Sequence, residues 1–490
     1  MGANRGTPER TEAIVALPQN HDWYDNLSTF ARYFVGDPDR TKPLKRFLDR
    51  IPVMQRSTYF AVALPHDWWI IGLDFAFTDD IDRNQFESFV GLAEQVGPQA
   101  RFILVYPEPF WVKDDASTRN IGRPKRCQRL EARIGIDRIR LRIAGDLHQF
   151  SDEVSERGVH LVTCGTGGAF LQPTHTADVQ APKIARLENN DLAMINDPAW
   201  RNFVRVRTGE SGARAAAKEK ALPDSRHYSV ETGYRYPLPA VSRAMARQLP
   251  FKFGWCNWKF ALIIGVVYSL GAWLNGFLLG AEIGEFGLPR LATRGWAGIG
   301  GDALNWIGAM ILFMPSALLN MLTILVFVAF SREQRPVFMS IGGLLHSAAH
   351  GIAVFLLYWC AIYMLSTDGV KSDPHVVQTV FLIAVWMIVA GAVVGSIIFG
   401  TFLLIAVSGF GQHQHEAFAA LRVEDYKGFL RFKIDTDGVL SGYFVQIDCV
   451  CRRWRKTGND QTQPVWMPDD GQADMASVKH TFRIERQPLV

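Results

Sequence analysis

Cysteine is scarce in this chain: six in 490 residues, at positions 127, 164, 256, 360, 449 and 451, with no C-x-x-C pair among them. That scarcity excludes a disulfide scaffold and a cysteine-built zinc module, and it fits reduced thiols in a cytosol-facing or membrane protein. Charge of one sign is lacking too. A net charge of +4 over this length leaves no nucleic-acid footprint, so no nucleic-acid partner is expected. The opening "MGANRGTPERTEAIV" lacks a basic-then-apolar signal, so export of the first domain by that route is not expected. Apolar residues, in contrast, make up 48% of the chain while 20% are charged, and mean hydropathy is +0.03. Such a balance points to a chain that is part soluble and part membrane.

The apolar residues are unevenly placed. Up to about residue 180, runs such as "EAIVAL", "YFAVAL", "WWIIGLDF", "RFILVYP", "RIRLRIAG" and "VHLVTCG" alternate with helix-capable stretches such as "DIDRNQFESFVGLAEQV". This rhythm predicts an α/β domain over 1–180 with buried strands whose ends carry functional loops. Charged and Ala-rich text follows and reads as a linker or juxtamembrane arm over 181–255. Four long apolar runs, at about 260–281, 303–330, 340–365 and 377–409, each reach the roughly 20 residues a bilayer-spanning helix needs. They define a four-helix transmembrane domain over 256–410, and 411–490 reads as a tail with β structure. The last run is long enough to require tilt, an extension beyond the bilayer or a break near Gly391, Gly395 and Gly400. Gly391 and Gly395 also form a G-x-x-x-G pair suited to close helix contact.

Basic residues set the expected orientation. Arg243, Arg247, Lys252 and Lys259 precede the first run, Arg332 and Arg335 fill the second loop, and Arg422 and Lys427 follow the last. Arg290, Arg294 and Lys371 are fewer on the opposite side, so both termini are expected to be cytoplasmic.

The stretch "PQNHDWYDNL" places Asn20, His21 and Asp22 together. These residues suit a phosphoester hydrolase built on divalent metals: an amide ligand, an imidazole that moves a proton, and a carboxylate that orients it. A simple turn with a solvent-exposed histidine accounts for the same three residues. Further along come "YFAVALPHDWWIIGLD", "IDRNQF", "LVYPEPFW", "IAGDLHQF" and "CGTGGAFLQPTHT". As an ordered set these resemble the G-N-H-D and later motifs of calcineurin-like metallophosphoesterases, and most of all a multi-pass membrane branch of that family. "HEAFAALRVEDYKGFLRFKIDTDGVL" looks like that branch's tail.

The resemblance implies an α/β metallophosphoesterase-like sandwich, then the four membrane helices and the small cytoplasmic tail. It implies divalent metal ions (manganese, iron, zinc or magnesium) as cofactors, a phosphoester as substrate, and the lipid bilayer as surroundings; a homo-oligomer is compatible with it. It makes Asn20 and His148 metal ligands, with Asp146 a third where the family has histidine, and His21 the residue that protonates the leaving group beside Asp22. The family's D-x-H and G-D motifs are not among the 19 residues before Asn20, and Pro107 or Tyr106 stands where a further histidine is usual. The sandwich is thus expected to be N-terminally incomplete and to hold fewer than two ions. The alternative is a non-catalytic membrane protein whose phosphatase-like domain binds a partner or ligand.

Other groups invite separate readings. His346 and His350, at i and i+4, share one face of the third run, where they either meet a common ligand or proton path or bond neighbouring helices. His175 in "PTHT" is read as shaping the glycine-rich loop, and "CVCRRWRK" as a solvated or headgroup-facing strand end.

Overall fold

The computed structural model describes residues 13–36, 55–75, 80–109, 111, 125–155, 158–176, 230–281, 291–292, 294–331, 336–367, 376–456, 466–469 and 476–485. Most of the arm read at 181–255 lies outside these residues, as do Arg290, Arg332, Arg335 and Lys371. The chain divides into two compact units, one formed by 1–237 together with 424–490 and the other by 238–423.

The first unit is built on a seven-stranded mixed sheet, ordered β1-β2-β3-β4-β6-β5-β7. Its strands are β1 (Phe60–Ala63), β2 (Trp68–Gly72), β3 (Arg101–Tyr106), β4 (Ile139–Ala144), β5 (Phe150–Ser155), β6 (His160–Cys164) and β7 (Val230–Tyr236). Strands β2, β3, β4 and β6 are parallel neighbours, whereas β1, β5 and β7 pair antiparallel. Continuous apolar runs such as "RFILVY" form the central strands because both faces of a parallel sheet are covered.

On one face lie α2 (Arg83–Gln95) and α3 (Lys125–Ile134), which follow a short α1 (Ser28–Phe34). Asp82 starts α2 by accepting the Gln85 backbone N–H, which satisfies one of the donors a helix end leaves over. From these helices Phe86, Phe89, Cys127 and Leu130 pack onto Phe102, Leu104 and Tyr106 of β3. Alternation sends Ile103 to the opposite face, where it joins Trp68, Leu141 and Phe150.

The C-terminal tail covers that second face. Strands β8 (Lys427–Ile434), β9 (Leu440–Ile447) and β12 (Ala476–Ile484) form a three-stranded sheet ordered β12-β9-β8. Leu440, Phe444, Phe482 and Ile484 close the core with Trp68 and Phe150. Phe444 stacks on Phe150 at 3.8 Å between ring centroids, and Trp68 Nε1 donates to the Gly438 carbonyl at 2.9 Å. Gly442 must stay small here, because a Cβ would fall 2.2 Å from the Phe482 ring. The tail is therefore the third layer of the N-terminal domain.

Among the described residues of the second unit, three helical stretches are long and apolar enough to cross a membrane: Trp258–Gly276, Ser340–Met364 and Gln378–Phe410. They belong to α6 (Trp258–Ala281), α9 (Pro336–Thr367) and α10 (Val376–Phe410), which follow α4 (Pro239–Ala246) and α5 (Leu249–Cys256). The run read as one span over 303–330 is instead two helices, α7 (Ile299–Leu312) and α8 (Met314–Ser331), bent by 90° at Phe313. Pro315 explains the break: lacking an N–H, it belongs in the first turn of a new helix and not inside an old one. By contrast α10 runs unbroken past Gly391, Gly395 and Gly400. The two glycines of the G-x-x-x-G pair face α6, since Cβ atoms there would approach Tyr268 at 2.9 Å and Ile264 at 2.3 Å.

The chain leaves the first unit at Pro237 and rejoins it at Glu424. Its layers share one core, so residues on both sides of the helical unit must stand on the same side of a membrane. If every candidate span crosses, the number of crossings is even only when the bent α7–α8 pair counts as one span, which gives up to four among the described residues. Cysteine labelling of intact cells or vesicles should place positions near 150 and 460 on one side, and positions 290 and 371 on the other. Labelling of 150 and 460 from opposite sides would overturn this parity.

Candidate functional site

The "QNHD" stretch is a 3-10 turn, Asn20–Asp25, entered from extended backbone at Gln19. Asp22 Oδ2 accepts the Gln19 N–H at 2.8 Å, and Asp22 N–H donates to the Gln19 carbonyl at 3.0 Å, so this carboxylate holds the turn. Asn20 and His21 are exposed, and the His21 ring lies 4.9 Å from the Tyr24 ring.

Around Asn20 the strand ends assemble a small cavity of about 50 Å3. Gln19, Asn20 and Trp23 form one wall; Asp74, Phe75, Pro107, Glu108 and Asp146 form the other. Asp74 follows β2, Glu108 follows β3 and Asp146 follows β4, so three carboxylates leave the carboxyl ends of three adjacent parallel strands. Open α/β sheets bind their ligands at such ends. The loops approach closely because Gly145 has no side chain: a Cβ there would sit 3.2 Å from Gln19 Nε2 and 3.4 Å from the Pro107 carbonyl. Asp146 itself takes a left-handed conformation, φ 62°, which a short polar residue tolerates better than most. Gln85 fixes the backbone of Asp74 from both sides, accepting its N–H at 2.9 Å and donating to its carbonyl at 2.7 Å.

Asn20 and Asp146 thus meet in one cavity, whereas His21, Asp22 and His148 are not among its lining residues. The His148 ring lies over Gly168, where a Cβ would come within 2.3 Å, and edge-on to Phe170 at 4.6 Å. Its backbone N–H donates to Gln172 Oε1 at 2.9 Å. The physical link between "GDLH" and "GGAFLQPTHT" is this packing of one loop on the other. His175 is buried in the same segment, next to Thr174, whose hydroxyl donates to the Pro237 carbonyl at 2.7 Å. Asp74 escaped the sequence reading, although its place straight after "WWIIGL" marks it as a carboxylate at a strand end.

Among the described residues no three His, Cys, Asp or Glu side chains form a group able to hold a metal ion. The cavity's lining offers the Asn20 amide and three carboxylates, the oxygen donors that hard divalent ions such as magnesium and manganese prefer, but these carboxylates do not form a group able to hold an ion. Such ions commonly keep several waters and complete their sphere on a substrate phosphate. Iron or zinc would find no nitrogen ligand among the cavity's lining residues.

A second polar cluster lies in the same unit. Asp152 accepts from both sides, with Oδ1 2.8 Å from His160 Nδ1 and Oδ2 2.7 Å from His480 Nε2, and so ties β5 and β6 to β12. Burial alone would raise its pKa, yet the hydrogen bonds from the two histidines outweigh this and hold it below the usual carboxylate value. Next to it, burial raises Glu153 from 4.5 to about 7 although Arg235 lies 3.2 Å away, because the guanidinium reaches one oxygen and Oε2 stays buried without a hydrogen bond.

The two carboxyls bracket a stability window. A raised pKa means that the Glu153 contribution is complete below about pH 4.5 and is lost as pH climbs through about 7. A lowered pKa means that the Asp152 contribution is present above 3.8 and disappears as pH falls through its lower folded value. The stability of the first unit should accordingly fall from pH 5 to pH 8, by up to on the order of 3 kcal/mol from Glu153. Glu153→Gln should flatten that fall, and an unchanged slope would contradict the assignment.

Within the helical unit, His346 and His350 bond each other, Nε2 to Nε2 at 3.1 Å, and His350 Nδ1 lies 2.6 Å from Tyr268 Oη of α6. All three side chains are buried, with Phe327 and Phe402 stacked on the two imidazoles.

In comparisons with known proteins, no family model matches this chain, and neither a curated protein nor a solved structure matches it.

Proposed function

We propose that the first unit is a metal-dependent phosphoester hydrolase tethered to a membrane by the helical unit, of the calcineurin-like type that the ordered motifs resemble. The observation that carries the reading is the meeting of Asn20 and Asp146 with Asp74 and Glu108 at the ends of parallel strands. Asn20 and Asp146 would contribute ligands to an ion whose remaining positions water and the substrate phosphate would fill, and the ion would supply Lewis-acid polarisation of the phosphate and an activated water. Trp23 and Phe75 line the cavity beside these donors. His21 follows Asn20 on an exposed turn, where it can give a proton to the departing ester oxygen. The ester P–O bond breaks, a water oxygen takes its place on phosphorus, and the leaving alkoxide departs as an alcohol. The basic residues around the spans favour a cytoplasmic location for this unit.

The donor set predicts weak, single-ion binding. After dialysis the purified chain should retain fewer than two divalent ions per molecule, and manganese affinity should rise when inorganic phosphate is added, since phosphate oxygens complete the ion's sphere. Elemental analysis that finds two tightly held ions would sink the single-ion reading. Pro107 in the cavity wall, in the loop where Pro107 or Tyr106 stands in place of the histidine usual in the resembled family, favours a second reading: a domain that binds phosphorylated ligands without hydrolysing them. Phosphate-dependent manganese binding with no turnover of any ester would select it.

A further inference from the structure

Strands β10 (Trp454–Lys456) and β11 (Trp466–Pro468) pair antiparallel as a two-stranded sheet of their own, apart from both larger sheets. All three residues of β10 and two of three in β11 are exposed, and none belongs to a core cluster. A two-stranded ribbon without a packed face is marginal in water. This one nevertheless presents large apolar groups: Trp454 is 54% exposed, Trp466 57% and Met467 38%. Register places Lys456 opposite Trp466 and Arg455 opposite Met467, so aromatic or apolar groups alternate with cations across the ribbon. Arg452, Arg453, Arg455 and Lys456 lie in β10 and its leading flank, and Asp469 follows β11. Arg452 is partly occupied by Asp425 at 3.2 Å. Trp454 Nε1 donates to the Cys451 carbonyl at 3.1 Å, which fixes one indole while leaving it exposed.

From this composition we propose that the β10–β11 ribbon is a docking surface for anionic lipid headgroups. Indole rings favour the boundary between water and hydrocarbon, where the apolar body is buried and the N–H stays wet. Adjacent arginine and lysine are drawn to the negative surface of a phospholipid leaflet. The helical unit carries the same mixture at the start of its first span, where Trp255 and Trp258 are exposed beside Lys252 and Lys259. A bilayer is also always within reach. The first unit ends at Pro237, 21 residues before Trp258, and resumes at Glu424, 14 residues after Phe410, so the tether keeps the local lipid concentration high. The inference is independent of whether the cavity hydrolyses a phosphoester.

The test uses the full chain in nanodiscs of phosphatidylcholine, with and without phosphatidylglycerol, in which part of the lipid carries brominated acyl chains that quench indole emission. The fluorescence that disappears in the Trp454→Phe, Trp466→Phe double variant isolates the two indoles from the chain's other tryptophans. In discs containing phosphatidylglycerol, bromination should remove most of that fluorescence. Arg455→Glu with Lys456→Glu, which keeps both indoles, should restore it to the level seen in phosphatidylcholine. Emission that is equal in brominated and plain discs of either composition would overturn the proposal. So would strong quenching by aqueous acrylamide in the anionic discs, because the ribbon would then face water or await a protein partner.

Discussion

A chain ending at Val423 is expected to lose its N-terminal domain as well as its tail. Trp68, Ile103, Leu141 and Phe150 are buried, and the side chains that bury them include Leu440, Phe444, Phe482 and Ile484. Removing 424–490 would expose that whole face to water, at roughly 25 cal/mol for each Å2 of apolar surface. It would also strand the polar ends of Trp68 and Thr166, which donate to the Gly438 and Gly428 carbonyls. Unfolding of the sheet, read as loss of protease resistance in 55–176, should follow while the spans still insert. A milder variant separates packing from chain loss. Phe444→Ala deletes a fully buried ring stacked on Phe150 and should cost about 3–5 kcal/mol of first-unit stability, seen as a lower melting temperature. Wild-type melting in either variant would mean that the tail sheet does not complete the domain.

The second large effect concerns chemistry at the cavity. If the leaving oxygen is protonated by His21, His21→Ala should slow phosphoester turnover by roughly 100-fold or more, the usual worth of a positioned acid. Added metal should not rescue it, because the missing part is a proton donor. Asp146→Asn should behave differently: weaker metal binding, partly recovered at higher manganese, since one ligand is weakened and the acid remains. His148→Ala should act mainly through the loop that its ring packs on, lowering stability along with activity. His346→Ala, inside the helical unit, should leave hydrolysis nearly unchanged. Turnover that survives His21→Ala intact would reduce the "QNHD" stretch to a turn.

What was legible in the sequence was whatever is local. Runs such as "WWIIG" and "RFILVY" carry their own strand signal, and the uniform apolarity of 377–409 carries a span. The tail's role was not legible, because the bond that marks it joins Trp68 to Gly438 across 370 positions and no periodicity records such a pairing. Nor was the bend at Phe313 read, although Pro315 offers the signal: hydropathy averages over a window and is blind to one missing N–H. At the site, chemistry was easier to read than direction. The motif resemblance points to Asn20, Asp146 and His148 as ligands, and Asn20 and Asp146 do line one cavity, yet a resemblance of motifs cannot show that His148 turns onto Gly168. It could not show that Asp22 caps its own turn, or that Asp74 and Glu108 point the same way as Asp146.

Hydrolase activity is tested most directly by manganese-dependent hydrolysis of phosphomonoesters and phosphodiesters by the purified full chain, beside an Asn20→Ala, Asp146→Asn double variant of matched melting temperature. Turnover that needs the metal and is lost in the double variant is the predicted result. Turnover that persists in the variant, or that proceeds equally with the metal chelated, would contradict it.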